Sequence, residues 1–277
     1  MLKLLHLIEK EEKYLEIKAA IFDIDGTLLP HELNTPTLET VKALAALRAK
    51  GIIVMIATGR ALFNAKTALG AIKADYYVCA NGAWVTNAAE KTVAQTCFST
   101  EEMYALVDFF EDDNLPLSFI FNDGYYAYVE YAQFVTMYAD LKEDAFFLRD
   151  GESQMRHQHG MPVAATGILN EDAVKKFTEK YGYLHLRFVP FGRNRYDILR
   201  DDCHKAVAVE AILQKLDIAW ENVAAFGDGD NDAELLAAAG FSVAMQNGAD
   251  SLQKTATLVA PPALENGVAQ TIEKYIL

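Results

Sequence analysis

The apolar run Ala19-Ala20-Ile21-Phe22 ends abruptly in Asp23-Ile24-Asp25-Gly26-Thr27, and no other junction in the chain constrains the fold as much. An uninterrupted apolar run of strand length reads as a strand covered on both faces, the kind found in parallel sheets. In open α/β sheets ligands bind beyond the carboxyl ends of such strands, so Asp23 and Asp25 are expected to line a crevice. Two carboxylates this close repel each other and coexist with a proton, a cation or both. A bound divalent metal is the simplest solution. Taken alone, the segment also reads as a polar strand-to-helix turn, since Asp and Gly favour turns.

The same pattern recurs. Ile52-Ile53-Val54-Met55-Ile56-Ala57 runs into Thr58-Gly59-Arg60, which brings a hydroxyl and a backbone amide to a strand end. Asn222-Val223-Ala224-Ala225-Phe226 runs into Gly227-Asp228-Gly229-Asp230-Asn231-Asp232, followed by an Ala- and Leu-rich helical stretch. Lys205 opens the amphipathic run Ala206 to Leu216, which places an ammonium near a helix start. Found singly, Thr58 would read as a helix-capping hydroxyl and Lys205 as a surface lysine.

Together these residues resemble the haloacid dehalogenase superfamily of aspartate-nucleophile phosphotransferases. Asp-x-Asp-Gly-Thr, a strand-terminal Thr, a later Lys and Gly-Asp-x-x-Asn-Asp (Gly227, Asp228, Asn231, Asp232) occur in that family's order. Thr58-Gly59-Arg60, Asn81-Gly82-Ala83 and Glu265-Asn266-Gly267-Val268-Ala269 resemble the Cof-type, sugar-phosphatase-like branch with a class IIB cap. The resemblance spans about residues 17 to 277. Two departures stand out, His204-Lys205-Ala206 where Ser-Lys-Gly is usual and Met245-Gln246-Asn247-Gly248 where Gly-Asn-Ala is commoner.

The resemblance implies a Mg²⁺-dependent phosphatase working through an aspartyl phosphate. Asp23 is then the nucleophile, and Asp25 the general acid and base, protonating the leaving alkoxide and later taking a proton from water. Mg²⁺ is expected on an Asp23 oxygen, the Asp25 backbone carbonyl and Asp228, a hard-oxygen set of the type it prefers. Thr58, Gly59, Lys205 and Asn231 would hold the phosphate, and Asp232 would orient its neighbours from behind. The expected substrates are small phosphorylated metabolites: a sugar phosphate, pyridoxal phosphate, flavin mononucleotide or a nucleotide. The rival of another class is a metabolite-binding regulatory pseudophosphatase, whose expected mark is loss of Asp23 or Asp25; both are present.

The net charge of -14, from 25 Lys plus Arg against 39 Asp plus Glu, argues against a nucleic-acid partner, because phosphate-backbone binding needs clustered positive charge. An acidic chain that binds a phosphate ester must overcome its own field locally, which strengthens the expectation of a cation beside Lys205. No apolar run reaches the length of a membrane span and the first ten residues do not read as a signal peptide, so a cytoplasmic protein is expected, as a monomer or weak homo-oligomer. Cys79, Cys97 and Cys203 are too scattered for a disulfide framework or zinc motif. His157-Gln158-His159 reads as a solvated loop rather than a metal pair. Asp228, Asp230 and Asp232 imitate an EF-hand opening, but Ala233 stands at position six and Ala239 at position twelve. Gly227-x-Gly229 lacks the third glycine of a dinucleotide fingerprint.

Strand and helix signals alternate from Ile17 to about Ala80 and resume from Lys205, predicting a doubly wound, parallel, Rossmann-like α/β core. Between them the text changes style. Helix-like Glu101 to Glu111, aromatic Tyr125-Tyr126-Ala127-Tyr128-Val129, helix-like Glu171 to Tyr181 and strand-like His185 to Val189 read as an α+β insert. By resemblance this is a type-2 cap that sets substrate specificity. The expected division is residues 17–84 and 193–277 for the catalytic core, 85–192 for the cap, and 1–16 for an N-terminal extension with amphipathic helical character. Arg187 within the cap, and Arg193 and Arg195 just beyond it, are candidates for a second anionic group, with a solvated charged loop as the simpler reading.

Overall fold

The computed structural model describes residues 16–141 and 145–277; the expected amphipathic helix in 1–16 lies almost wholly outside them. In chain order the first strands are β1 (Ala19–Phe22), β2 (Ile53–Ala57), β3 (Tyr76–Cys79), β4 (Trp84–Asn87) and β5 (Thr92–Gln95). Then come β6 (Leu117–Ile120), β7 (Tyr125–Val129), β8 (Leu148–Asp150), β9 (Ala164–Ile168), β10 (Leu186–Gly192) and β11 (Arg195–Arg200). The last are β12 (Val223–Gly227), β13 (Phe241–Met245) and β14 (Leu258–Ala260). The chain divides into two compact units. The first comprises the described residues up to Ile56, Ala71–Asp75 and Glu210–Leu277; the second comprises Ala57–Gly70 and Tyr76–Val209. The expected insert, 85–192, lies wholly within the second.

In the first unit β14, β13, β12, β1 and β2 are successive parallel neighbours. Chain order reverses between β1 and β12, the topological switch point at which open α/β sheets bind ligands. All four residues of β1 are fully buried, which explains its unbroken apolar text. Phe22 pairs in register with Phe226, and their rings stack at 4.8 Å. That stack, beyond its buried area, stabilises by about 0.5–1.5 kcal/mol and locks the register of the two strands that carry the acidic motifs. The helix Leu38–Ala49, capped by the Thr37 side chain, packs against the C-terminal helix Gly267–Tyr275.

The second unit holds the antiparallel run β3-β4-β5 and a six-stranded sheet ordered β10-β11-β9-β6-β7-β8. Its pairings are antiparallel except β7 with β8, so this part is α+β in character. Helices Thr100–Asp112 and Glu171–Tyr181 contribute Met103, Leu106, Phe110 and Phe177 to a core shared with Phe119 and Tyr128 of the sheet. Ser99 opens the first of these helices with a reciprocal capping box to Glu102.

Several element boundaries differ from the sequence reading. β3 stops at Cys79, because Ala80 and Asn81 turn the backbone to positive φ. Of His157-Gln158-His159, the last two are exposed, while His157 is half-buried in a short helical turn with its ring between the hydroxyls of Tyr104 and Tyr128. Arg187 lies on β10 and donates to the Cys203 carbonyl, while Arg195 stacks over Phe191; neither belongs to a solvated loop. Among the described residues no helix is long and apolar enough to cross a membrane.

Candidate active site

In the first unit the site is built by register. The Asp23 amide donates to the Phe226 carbonyl at 3.0 Å, so Asp23 leaves β1 beside the end of β12, and Asp228 leaves β12 directly after Gly227. Asp232 then closes the turn. Its Oδ2 accepts from the amides of Asp228 and Gly229, each at 3.1 Å, and a Cβ at Gly227 would sit 2.6 Å from it. One carboxylate oxygen from each of Asp23, Asp228 and Asp232 lies within 4.8 Å of the others. Asp23 and Asp232 are buried and Asp228 is half-buried.

Two unit charges about 5 Å apart at an effective dielectric near 20 repel by about 3 kcal/mol. A cation offsets that repulsion. The donors are all hard carboxylate oxygens, with no thiolate or imidazole in the group, a set that suits Mg²⁺, Ca²⁺ or Mn²⁺ better than zinc or copper. The cradle is also tight. Gly26, at φ +79°, passes so close to Asp228 that a Cβ there would lie 2.1 Å from Asp228 Oδ2. Thr27, fully buried, donates its hydroxyl to Asp228 Oδ1 at 3.1 Å. The side chain of Asn247 donates to the Gly26 carbonyl at 2.7 Å and accepts from the Ala263 amide at 2.8 Å. Residues Thr27 and Asn247 were not singled out from the sequence. The first lay within the quoted motif, and the second sat in the loop that departs from the family pattern.

Asp25, half-buried, follows Asp23 by two positions; its carboxylate is not one of the three that converge, and the sequence expectation for it as a ligand concerned its backbone carbonyl. The third converging carboxylate is Asp232, which the sequence reading placed behind the ligands. Asn231 is exposed on the same turn.

The second unit holds the other expected residues. Thr58 is buried, with its amide donating to Val78 O and its carbonyl accepting from Asn81 N, both at 2.9 Å. Its Oγ1 accepts from the Arg60 amide at 3.1 Å, which fixes the hydroxyl direction. A Cβ at Gly59 would lie 3.2 Å from both Asn81 Nδ2 and Asp197 Oδ2, so this turn is held flat against those side chains. Lys205 is the first residue of the helix Lys205–Leu216 and is almost fully buried. Arg60 donates to Asn64, and Asn64 to the Tyr125 hydroxyl; burial pushes that phenol up to about 12.

Residues 20–272 match the haloacid dehalogenase-like hydrolase family. The chain belongs to this family. It is 25% identical over 274 residues to a 5-amino-6-(5-phospho-D-ribitylamino)uracil phosphatase of Bacillus subtilis, covering 98% of this chain and 99% of that one. It is 27% identical over 275 residues to a putative bifunctional phosphatase/peptidyl-prolyl cis-trans isomerase of Streptococcus pyogenes, covering 94% of this chain but spanning about half, 54%, of that longer protein. Its fold matches a phosphatase of the haloalkanoate enzyme superfamily from Bacteroides thetaiotaomicron, with a TM-score of 0.84 and 20% identity, over 96% of this chain and 97% of the other. The family match and the phosphatases among its relatives thus agree with a phosphoric monoester hydrolase, the class to which the motifs of this haloacid dehalogenase-like hydrolase point.

Proposed function

We propose that this hydrolase cleaves small phosphate monoesters through an aspartyl-phosphate intermediate and depends on Mg²⁺. The observation that carries the reading is the convergence of the Asp23, Asp228 and Asp232 carboxylates at the switch point between β1 and β12. Asp23, the first side chain off β1, attacks phosphorus; the bond from phosphorus to the ester oxygen breaks as Asp25 gives that oxygen a proton. Water then attacks the aspartyl phosphate, Asp25 takes a proton from it, and inorganic phosphate leaves with Asp23 regenerated. Thr58, Gly59, Lys205 and Asn231 bind and orient the phosphoryl oxygens, so most of the catalysis is positioning and charge stabilisation. Asp23, the Asp25 carbonyl and Asp228 would hold Mg²⁺, with Asp232 orienting Asp228. When bound, the cation supplies the positive charge that lets a phosphate dianion approach these carboxylates.

In this reading residues 17–84 and 193–277 form the catalytic core, and residues 85–192 act as a cap that selects the substrate and excludes water. Sugar phosphates, pyridoxal phosphate, flavin mononucleotide and nucleoside monophosphates are the candidate classes. The Bacillus subtilis relative's name adds a phosphoribityl compound to them. The test is phosphate release by purified protein from an aryl phosphate and from a panel of these esters, with Mg²⁺ and after chelation. Mg²⁺-dependent release is expected. Undiminished turnover by metal-stripped protein would remove the metal from the mechanism, and binding of a panel member without turnover of any ester would favour a regulatory binding protein.

A further inference from the structure

A buried acid that the proposed chemistry leaves unused sits among the residues of the second unit. Asp197 lies on β11, and although the residue as a whole is half-buried, protein encloses its carboxyl group. It accepts from Asn81 Nδ2 at 3.0 Å and from the Thr166 side chain, and the charge of Lys205 acts on it. Burial pushes its pKa up to about 7. A perturbed acid held by specific polar and charged partners is a common mark of function.

Asn81 is the hub. It adopts φ +52°, in the left-handed region, and in that conformation its amide donates to the Thr58 carbonyl while its side chain reaches Asp197. The next residue, Gly82, at φ +108°, presses on the residue before Lys205: a Cβ there would lie 2.4 Å from the His204 carbonyl oxygen. The same two-residue turn therefore touches the strand end that carries Thr58 and the helix start that carries Lys205. Gly59 closes the circle, packed against both Asn81 and Asp197.

We propose that Asp197 is a positioning residue of this enzyme, which through Asn81 braces the Thr58–Gly59 turn and the start of the Lys205 helix in the geometry that holds the phosphoryl group. The inference rests on the phosphatase reading for the roles of Thr58 and Lys205, and on the contacts above for the brace itself. The groups facing Asp197 are Asn81, Thr166, Lys205 and Tyr125, the last near the charge of Arg60. Tyr125 stays protonated through neutral pH, so among the carboxyl and phenol groups of this cluster Asp197 is the one that ionises there.

The experiment compares wild type, Asp197→Asn, Asn81→Gly and the double variant; glycine tolerates the positive φ at position 81. Three quantities are read: kcat and KM on an aryl phosphate with Mg²⁺, the melting temperature at pH 8, and the acetylation rate of Lys205 by mass spectrometry. Each single variant is expected to lose kcat by about 10- to 100-fold, the scale of a small misplacement of a binding group. The double variant should lose no more than the worse single one, because both break one brace. Removing the Asp197 charge should speed Lys205 acetylation at pH 8, since its ammonium loses an anionic neighbour. A raised carboxyl pKa costs stability as pH rises from the unfolded value through about 7, so Asp197→Asn should melt no lower than wild type at pH 8. A lower melting temperature with unchanged kcat would make Asp197 structural only and overturn the proposal. Additive kcat losses would also overturn it. If wild type released no phosphate from any ester, the phosphatase reading would fail, and the Lys205 acetylation rate alone would decide the brace: an equal rate in wild type and Asp197→Asn sinks it.

Discussion

Replacing Gly26 by alanine should damage the acidic cradle more than its size suggests. At φ +79° a side chain is strained whatever the surroundings, a cost of about 1–2 kcal/mol. The added Cβ would also meet Asp228 Oδ2 at 2.1 Å, Asp228 Cγ at 2.7 Å and His31 Nε2 at 2.9 Å. The loop has little room to yield, because the Gly26 amide donates to Leu29 O at 2.8 Å and its carbonyl accepts from Asn247 at 2.7 Å. Asp228 must move instead, breaking its hydrogen bond from Thr27, and a hydrogen bond to a charged acceptor contributes about 1.5–3 kcal/mol. The expected total is about 3 kcal/mol or more, a fall in melting temperature of about 6–12 °C at about 2–4 °C per kcal/mol. Gly51→Ala is the control, since Gly51 has φ +82° with nothing within 4 Å. It should show the backbone cost alone, about 1–2 kcal/mol. Mg²⁺ titration by calorimetry separates the two: affinity should fall about 10- to 100-fold in Gly26→Ala, the usual scale for disturbing a ligand's supporting shell, and stay unchanged in Gly51→Ala. Equal stability losses with equal Mg²⁺ affinity would refute the argument that Gly26 shapes the cradle.

Asp23→Asn keeps the side-chain shape without the nucleophile and should bring phosphate release to background with the melting temperature preserved; wild-type turnover would exclude the aspartyl phosphate. Asp25→Asn should slow turnover by about 10²- to 10⁴-fold through lost proton transfer, measured on an ester with a poor leaving group. Ser99→Ala removes the side-chain cap of helix Thr100–Asp112 and should cost about 1 kcal/mol, read as a melting temperature lower by about 2–4 °C; an unchanged value would show that the cap is redundant. Burial raises the pKa of all three thiols, with Cys203 pushed up to about 12, and Cys79 and Cys203 are buried while Cys97 is half-buried. A disulfide reagent on the native protein should therefore modify Cys97 slowly and the other two only on unfolding, and rapid loss of all three would contradict that packing.

The core was legible because its signals are local. β1, β2 and β12 announce themselves as short apolar runs that stop at Asp23, Thr58 and Asp228, and a strand covered on both faces leaves no other place for its first polar residue than the sheet edge. Lys205 was readable as a helix start from the periodicity that follows it. The insert was legible only in style. Two of its helices could be placed from their patterns, but β6 is buried at all four residues and β9 mixes buried with half-buried positions, so neither shows the alternation of a half-exposed strand.

Contacts made over long separations were closed to sequence reading. Asn247 reaches Gly26 across 221 positions, and Asp197 reaches Asn81 across 116; nothing within a window of either residue marks it as a partner. The choice of Asp232 to face Asp23 and Asp228 follows from how the Gly227–Asp232 turn folds against its own amides, which a motif records only as spacing. What the chain determined by itself is which residue types arrive at strand ends, since that depends on local hydrophobic patterning. The tertiary structure decided which of them meet, because parallel neighbours are joined only after long crossovers, and register across them is set by packing such as the stacking of Phe22 on Phe226.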